Sequence, residues 1–168
     1  MKKLFPFLAI AGMFAVESCE GPAGPPGPAG YTAESEVFEV STSFSSITNY
    51  SQTYPLNPDI RPEDNILVYE LYNVQDNIDT WALLPQVYYF PQGTAQYNYN
   101  FSYDQFTLLI DASFDRALLP TNFTQNKIFR IVVIPGYFSK QDFHKMDYVE
   151  VVQMLGLEGK PIKRISKQ

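Results

Sequence analysis

The chain has one cysteine, one histidine and one tryptophan in 168 residues. With Cys19 alone, no intrachain disulfide can form, and cysteine-histidine zinc sites built on several thiolates and iron-sulfur clusters are excluded. His144, in Asp142-Phe143-His144-Lys145-Met146-Asp147, has no Gly-x-Ser-x-Gly elbow anywhere in the chain to supply a nucleophile. It reads as a solvated histidine in a polar connector. A single imidazole without thiolates also leaves a transition metal dependent on carboxylates. Positive charge is scarce too: 12 Lys+Arg stand against 18 Asp+Glu, a net charge of −6. An acidic body argues against nucleic acid, where affinity comes from clustered Lys and Arg neutralising phosphates. No chemistry-bearing motif for catalysis is found, so the expectation is that the protein is not an enzyme and uses no cofactor.

What is present begins with a leader. Lys2 and Lys3 precede an apolar stretch from Leu4 to Val16, within the secretory range and too short to span a bilayer. Val16-Glu17-Ser18-Cys19 follows and resembles a lipobox, with Glu17 departing from the usual small or apolar residue. Residues 1–18 are therefore read as a lipoprotein signal peptide and Cys19 as the lipidation site, which places the protein on a membrane through a lipid anchor. Residues 19–34 carry the anchor and uninterrupted Gly-X-Y triplets from Gly21-Pro22-Ala23 to Gly30-Tyr31-Thr32. Proline fixes an extended polyproline conformation, which makes Glu20 to Gly30 a stiff spacer of about 30–35 Å. Glycine at every third position also suits a collagen triple helix, but so short a run favours a monomeric spacer over a trimeric stalk.

From Val37 onward the pattern is β. Phe38, Val40, Thr42 and Phe44 alternate with polar residues, and Ile66–Val74 and Lys127–Ile134 are apolar on both faces, as central strands are. Gln86–Phe90, Pro91-Gln92-Gly93 and the alternating Tyr97, Tyr99, Phe101 and Tyr103 predict a hairpin, and Phe106 to Ala112 a further strand. One helix is predicted, opened by Asp147 with Glu150 as a capping box and closed at Gly156, with Tyr148, Val151, Val152 and Leu155 on one face. The fold class is mainly β: an antiparallel β-sandwich over residues 35–157 with one short C-terminal helix. A basic tail follows at residues 158–168, read as frayed and solvated.

The signal peptide, the Cys19-Glu20-Gly21-Pro22 start, the collagen-like triplets, Val68-Tyr69-Glu70-Leu71, Trp81 with Leu84-Pro85, Phe129-Arg130-Ile131-Val132-Val133-Ile134-Pro135 and Asp147-Tyr148 resemble a group of small collagen-like lipoproteins of the Bacteroidota. The resemblance covers nearly the whole chain and implies an outer-membrane lipoprotein, surface-exposed or facing the periplasm. It implies no activity.

Among possible sites, Asp76-Asn77-Ile78-Asp79 and Asp59, Glu63 and Asp64 supply oxygen ligands, but neither has the glycine and distal glutamate of a calcium loop, and turn formation accounts for them. The excess lies in aromatics, 12 Tyr and 13 Phe. Most fit strands. The remainder fall in two long connections, residues 49–65 with Tyr50 and Tyr54, and residues 114–126 with Phe123. Long ordered loops often bind something, so Tyr50, Tyr54 and Phe123 form the candidate binding loop, against the plainer alternative that they wrap the end of the sandwich. Two functions follow: an accessory or interaction module with an envelope protein partner, or a ligand-binding module, with glycan as the ligand that tyrosine beside Asn, Gln and Ser suits.

Overall fold

A computed structural model describes residues 35–138 and 140–165. The signal peptide, Cys19 and the Gly-X-Y spacer lie outside the described residues. The strands are β1 (Val37–Thr42), β2 (Ser51–Pro55), β3 (Asn65–Gln75), β4 (Ile78–Leu83), β5 (Gln86–Phe90), β6 (Gly93–Phe101), β7 (Gln105–Ala112), β8 (Lys127–Ile134) and β9 (Lys163–Ile165). Two helices are described, α1 (Thr121–Thr124) and α2 (Tyr148–Met154). One sheet has the order β4-β3-β8-β1-β9 and the other β2-β7-β6-β5. Every ladder is antiparallel except β1 with β9. The protein is mainly β, with two predominantly antiparallel sheets stacked as a sandwich, in agreement with the fold class read from the sequence.

The two strands that are apolar on both faces are explained by a third layer. Ile66, Val68, Phe129, Ile131 and Val133 point into the core between the sheets, where they meet Tyr97, Phe106, Leu108 and Ile110. Leu67, Tyr69, Val132 and Ile134 point the other way and pack against Phe143, Val151, Leu155 and Leu157. A helix as short as α2 has little stability of its own, and its buried stripe supplies what propensity does not. Its start is fixed by the expected capping box: the Asp147 side chain accepts from the Glu150 amide at 2.9 Å, and Glu150 accepts from the Asp147 amide at 2.9 Å. Gly156, with φ of 63°, ends it. Arg130 of β8 clamps this face, with its guanidinium 3.9 Å from the Trp81 ring centroid and its Nε 3.1 Å from Glu39.

Three elements differ from expectation. The proline-bearing residues 49–65 contain β2, which pairs with β7 from Ser51–Leu109 to Pro55–Gln105. Proline is tolerated there because β2 is an edge strand. Strand β4 pairs back onto β3 through Asp76 and Asn77, both with positive φ (52° and 62°), the backbone of a tight hairpin turn that Asp and Asn tolerate. Of the basic tail assigned to residues 158–168, Lys163–Ile165 forms β9. Lys163 reaches Glu36 at 2.6 Å, and Arg164 lies 3.6 Å from Glu39.

Candidate functional site

The binding-loop residues read from the sequence are largely structural. Tyr54 is 2% exposed, stacked on Phe106 with ring centroids 5.4 Å apart. Tyr50 is half-buried against the main core, with the Arg116 guanidinium 5.0 Å from its ring centroid. Phe123 is buried in α1 and stacked on Tyr97 at 4.4 Å. Tyr54 and Phe123 thus offer no exposed ring to a ligand, because alternation along β2 and packing of α1 on the core turn both rings inward. The wrapping alternative describes them. The three do not converge on one surface feature: Phe123 borders one cleft, while Tyr54 borders an opening at the β1/β9 and β2 edges.

The polar candidates resolve similarly. Asp76 and Asn77 make the hairpin turn, and Asp64 is buried, accepting from the Arg61 amide at 3.0 Å and the Gly136 amide at 2.9 Å. His144 is exposed in a single 3₁₀ turn. Among the described residues, no group of three or more His, Cys, Asp or Glu side chains is placed to hold a metal ion.

A different region carries a cleft of about 600 Å3. It opens where β3 parts from β8. Their ladder runs from Asn65–Ile134 to Glu70–Phe129 and stops, while β3 continues to Gln75 with β4 alone. Every residue of this ribbon from Tyr72 to Thr80 is exposed. The β3–β4 register shifts between Leu71 and Asn73, a β-bulge. Strand alternation would send Tyr72 and Asn73 to opposite faces, yet both line the cleft.

The cleft floor is a carboxylate inside the sandwich. Glu70 is 1% exposed, and its two oxygens are taken separately: Lys127 Nζ lies 2.8 Å from Oε1, and the Tyr88 hydroxyl donates to Oε2 at 2.6 Å. A carboxylate so buried requires this compensation. Tyr88 is itself held edge-on against Tyr97 (5.8 Å) and Phe123 (5.2 Å), so packing fixes the donor as well as the acceptor. The rim is different. Tyr72 is 57% exposed and Tyr89 86%, with Asn73 and Asn122 beside them. Among the described residues, the opening at the other sheet edges, about 670 Å3, is bordered by no aromatic except the buried Tyr54.

Sequence reasoning missed this site because Tyr72, Tyr88 and Tyr89 fit strand alternation and were absorbed into the sandwich. Glu70 was the available signal: a charged residue in the otherwise apolar run Ile66–Leu71. Lys127, which starts a central strand, was its complement.

Burial holds several of these tyrosines in the neutral form. Tyr88 is raised above the ordinary value near 10 by burial first and by its hydrogen bond to Glu70 second, and burial raises Tyr97, Tyr69, Tyr54 and Tyr99 as well. Unfolded tyrosines lose protons near pH 10 while these folded ones retain them. Above that pH the unfolded state therefore binds fewer protons, and stability falls as pH rises. Urea midpoints are expected to stay flat in this respect below about pH 9 and to drop progressively above about pH 10. Replacing Tyr88 with Phe is expected to shallow that drop.

No family model matches the chain, and neither a curated protein nor a solved structure matches it.

Proposed function

We propose that this chain is an envelope lipoprotein whose sandwich is a non-enzymatic binding module, with the cleft beside Glu70 as its binding site. The observation that supports this most is the cleft floor, the buried Glu70 held by Lys127 and Tyr88, beneath a rim where the β3–β4 register shifts by one residue at Tyr72. Bulges concentrate next to functional sites because they re-aim a side chain that regular pleating would direct elsewhere. The reading as a binder rather than a catalyst rests on the floor: both Glu70 oxygens are occupied, which suits a fixed platform and not a group that must take up and release protons. The size of the cleft is that of a small-ligand site.

The tether comes from the sequence: Cys19 would hold the domain on the outer membrane, and the Gly-X-Y spacer would carry it outward, as the collagen-like lipoproteins of the Bacteroidota that it resembles suggest. A monomer suits one cleft per anchor. Cys19→Ala is expected to shift the protein from the membrane fraction to the soluble fraction, as stable anchoring needs the acyl chains of a lipidated cysteine. Equal retention of the variant on membranes would remove the tether from this reading. A second reading, an accessory module that grips an envelope protein, is favoured by the exposed ribbon, where Val74 and Ile78 present apolar side chains beside the cleft.

A further inference from the structure

Resting on the reading of the cleft as a binding site, we infer that its ligand is a neutral, polyhydroxylated ring: a sugar unit of an uncharged glycan. Charge comes first. Glu70 and Lys127 neutralise each other at the floor, and both carboxylate oxygens are engaged. Among the described residues, no other Asp, Glu, Lys or Arg lines the cleft. An anionic ligand would compete with Glu70 for Lys127 and leave a carboxylate buried without its ion pair, and a cationic ligand would find Glu70 beneath the surface with its acceptors filled. A neutral ligand disturbs neither.

The rim supplies what a sugar ring needs. Tyr72 is an exposed aromatic face that offers flat apolar area with few rotamers to freeze, and the C–H face of a pyranose packs on such a surface through dispersion and weak C–H contacts. Tyr89, which alternates with the inward Tyr88 along β5, stands exposed at the outer edge of the cleft. Tyr72 is held roughly parallel to Tyr88, with centroids 6.4 Å apart and 23° between the planes, so the platform is braced from behind. Asn73 and Asn122 each carry a donor pair and an acceptor. Vicinal hydroxyls are themselves donors and acceptors, and planar amides match them. Lys127 has ammonium donors beyond the one used on Glu70, and its side chain is 19% exposed. The cleft is open, so a chain can lie across it with one ring seated.

The test is a titration of the isotope-labelled full chain, solubilised in detergent, followed by amide NMR. The probes are four neutral hexasaccharides (cellohexaose, xylohexaose, mannohexaose and maltohexaose), then a set of charged and aromatic fragments that contain no sugar. At least one hexasaccharide is expected to shift the amides of Tyr72, Asn73, Tyr89 and Asn122, and Tyr72→Ala or Tyr89→Ala to weaken that binding at least about tenfold. Cleft shifts caused by the non-sugar fragments alone would overturn the ligand class and leave the cleft as a site. Absence of cleft shifts with every probe would overturn both. Hexasaccharide binding that persists unchanged in both tyrosine variants would overturn the assignment of the platform.

Discussion

Replacing Lys127 with Met is expected to cost about 3–5 kcal/mol of folding stability, far more than the loss of a surface ion pair. The difference lies in what remains. Glu70 is 1% exposed, and without the ammonium 2.8 Å away the Tyr88 hydroxyl is its one remaining bonded partner among the described residues. The carboxylate must then stay charged in the core, be protonated, or pull the end of β3 toward water. Because the Lys127 side chain keeps some contact with solvent, the effect should lie toward the lower end of the range. The double variant Glu70→Gln, Lys127→Met should recover much of the loss, since a well-packed neutral pair removes the desolvation cost of both ions. Urea midpoints of the two single variants and the double give the coupling energy directly. Additive single losses would mean that the pair does not act as a unit.

Tyr97→Ala is expected to be as damaging, at about 3–5 kcal/mol. Its ring is the hub of the aromatic core, touching Phe44, Tyr88, Phe123 and Phe129. Its hydroxyl donates to the Phe123 carbonyl and so ties α1 to the sheet. Tyr97→Phe keeps the packing and removes the bond, and should cost about 1–3 kcal/mol for a carbonyl left without its partner. Denaturation of the two variants separates packing from tethering. A Phe variant as unstable as the Ala variant would show that the hydrogen bond, and not the ring, holds this corner.

Strands and helix were legible where one physical signal dominated. β1, β3, β8 and the β5–β6 hairpin announce themselves by alternation or by unbroken apolar runs, and α2 by its capping box and apolar stripe. β2 and β4 were hidden by their punctuation. Pro55, Pro58 and Pro62 speak against a strand in general but are compatible with an edge, and whether a strand lies at an edge is decided by the whole sheet. The polar residues Asp79 and Thr80 mask a strand whose first half is exposed and held by backbone pairing to β3, while Trp81 and Leu83 in its second half pack on the outer core. The cleft was the least legible part. Tyr72 and Tyr54 are both tyrosines in strands, and only register separates them: a bulge places the first at a rim, and regular alternation buries the second.

That contrast also gives the most direct measurement. Urea denaturation of Tyr72→Ala/Tyr89→Ala beside Tyr54→Ala asks which aromatics the fold uses and which it leaves available to a ligand. The cleft pair should leave stability within about 0.5 kcal/mol of the parent, as exposed side chains do, whereas Tyr54→Ala should lose about 3–5 kcal/mol. The reverse order, with a large loss for the cleft pair and none for Tyr54, would contradict the placement of the binding site beside Glu70.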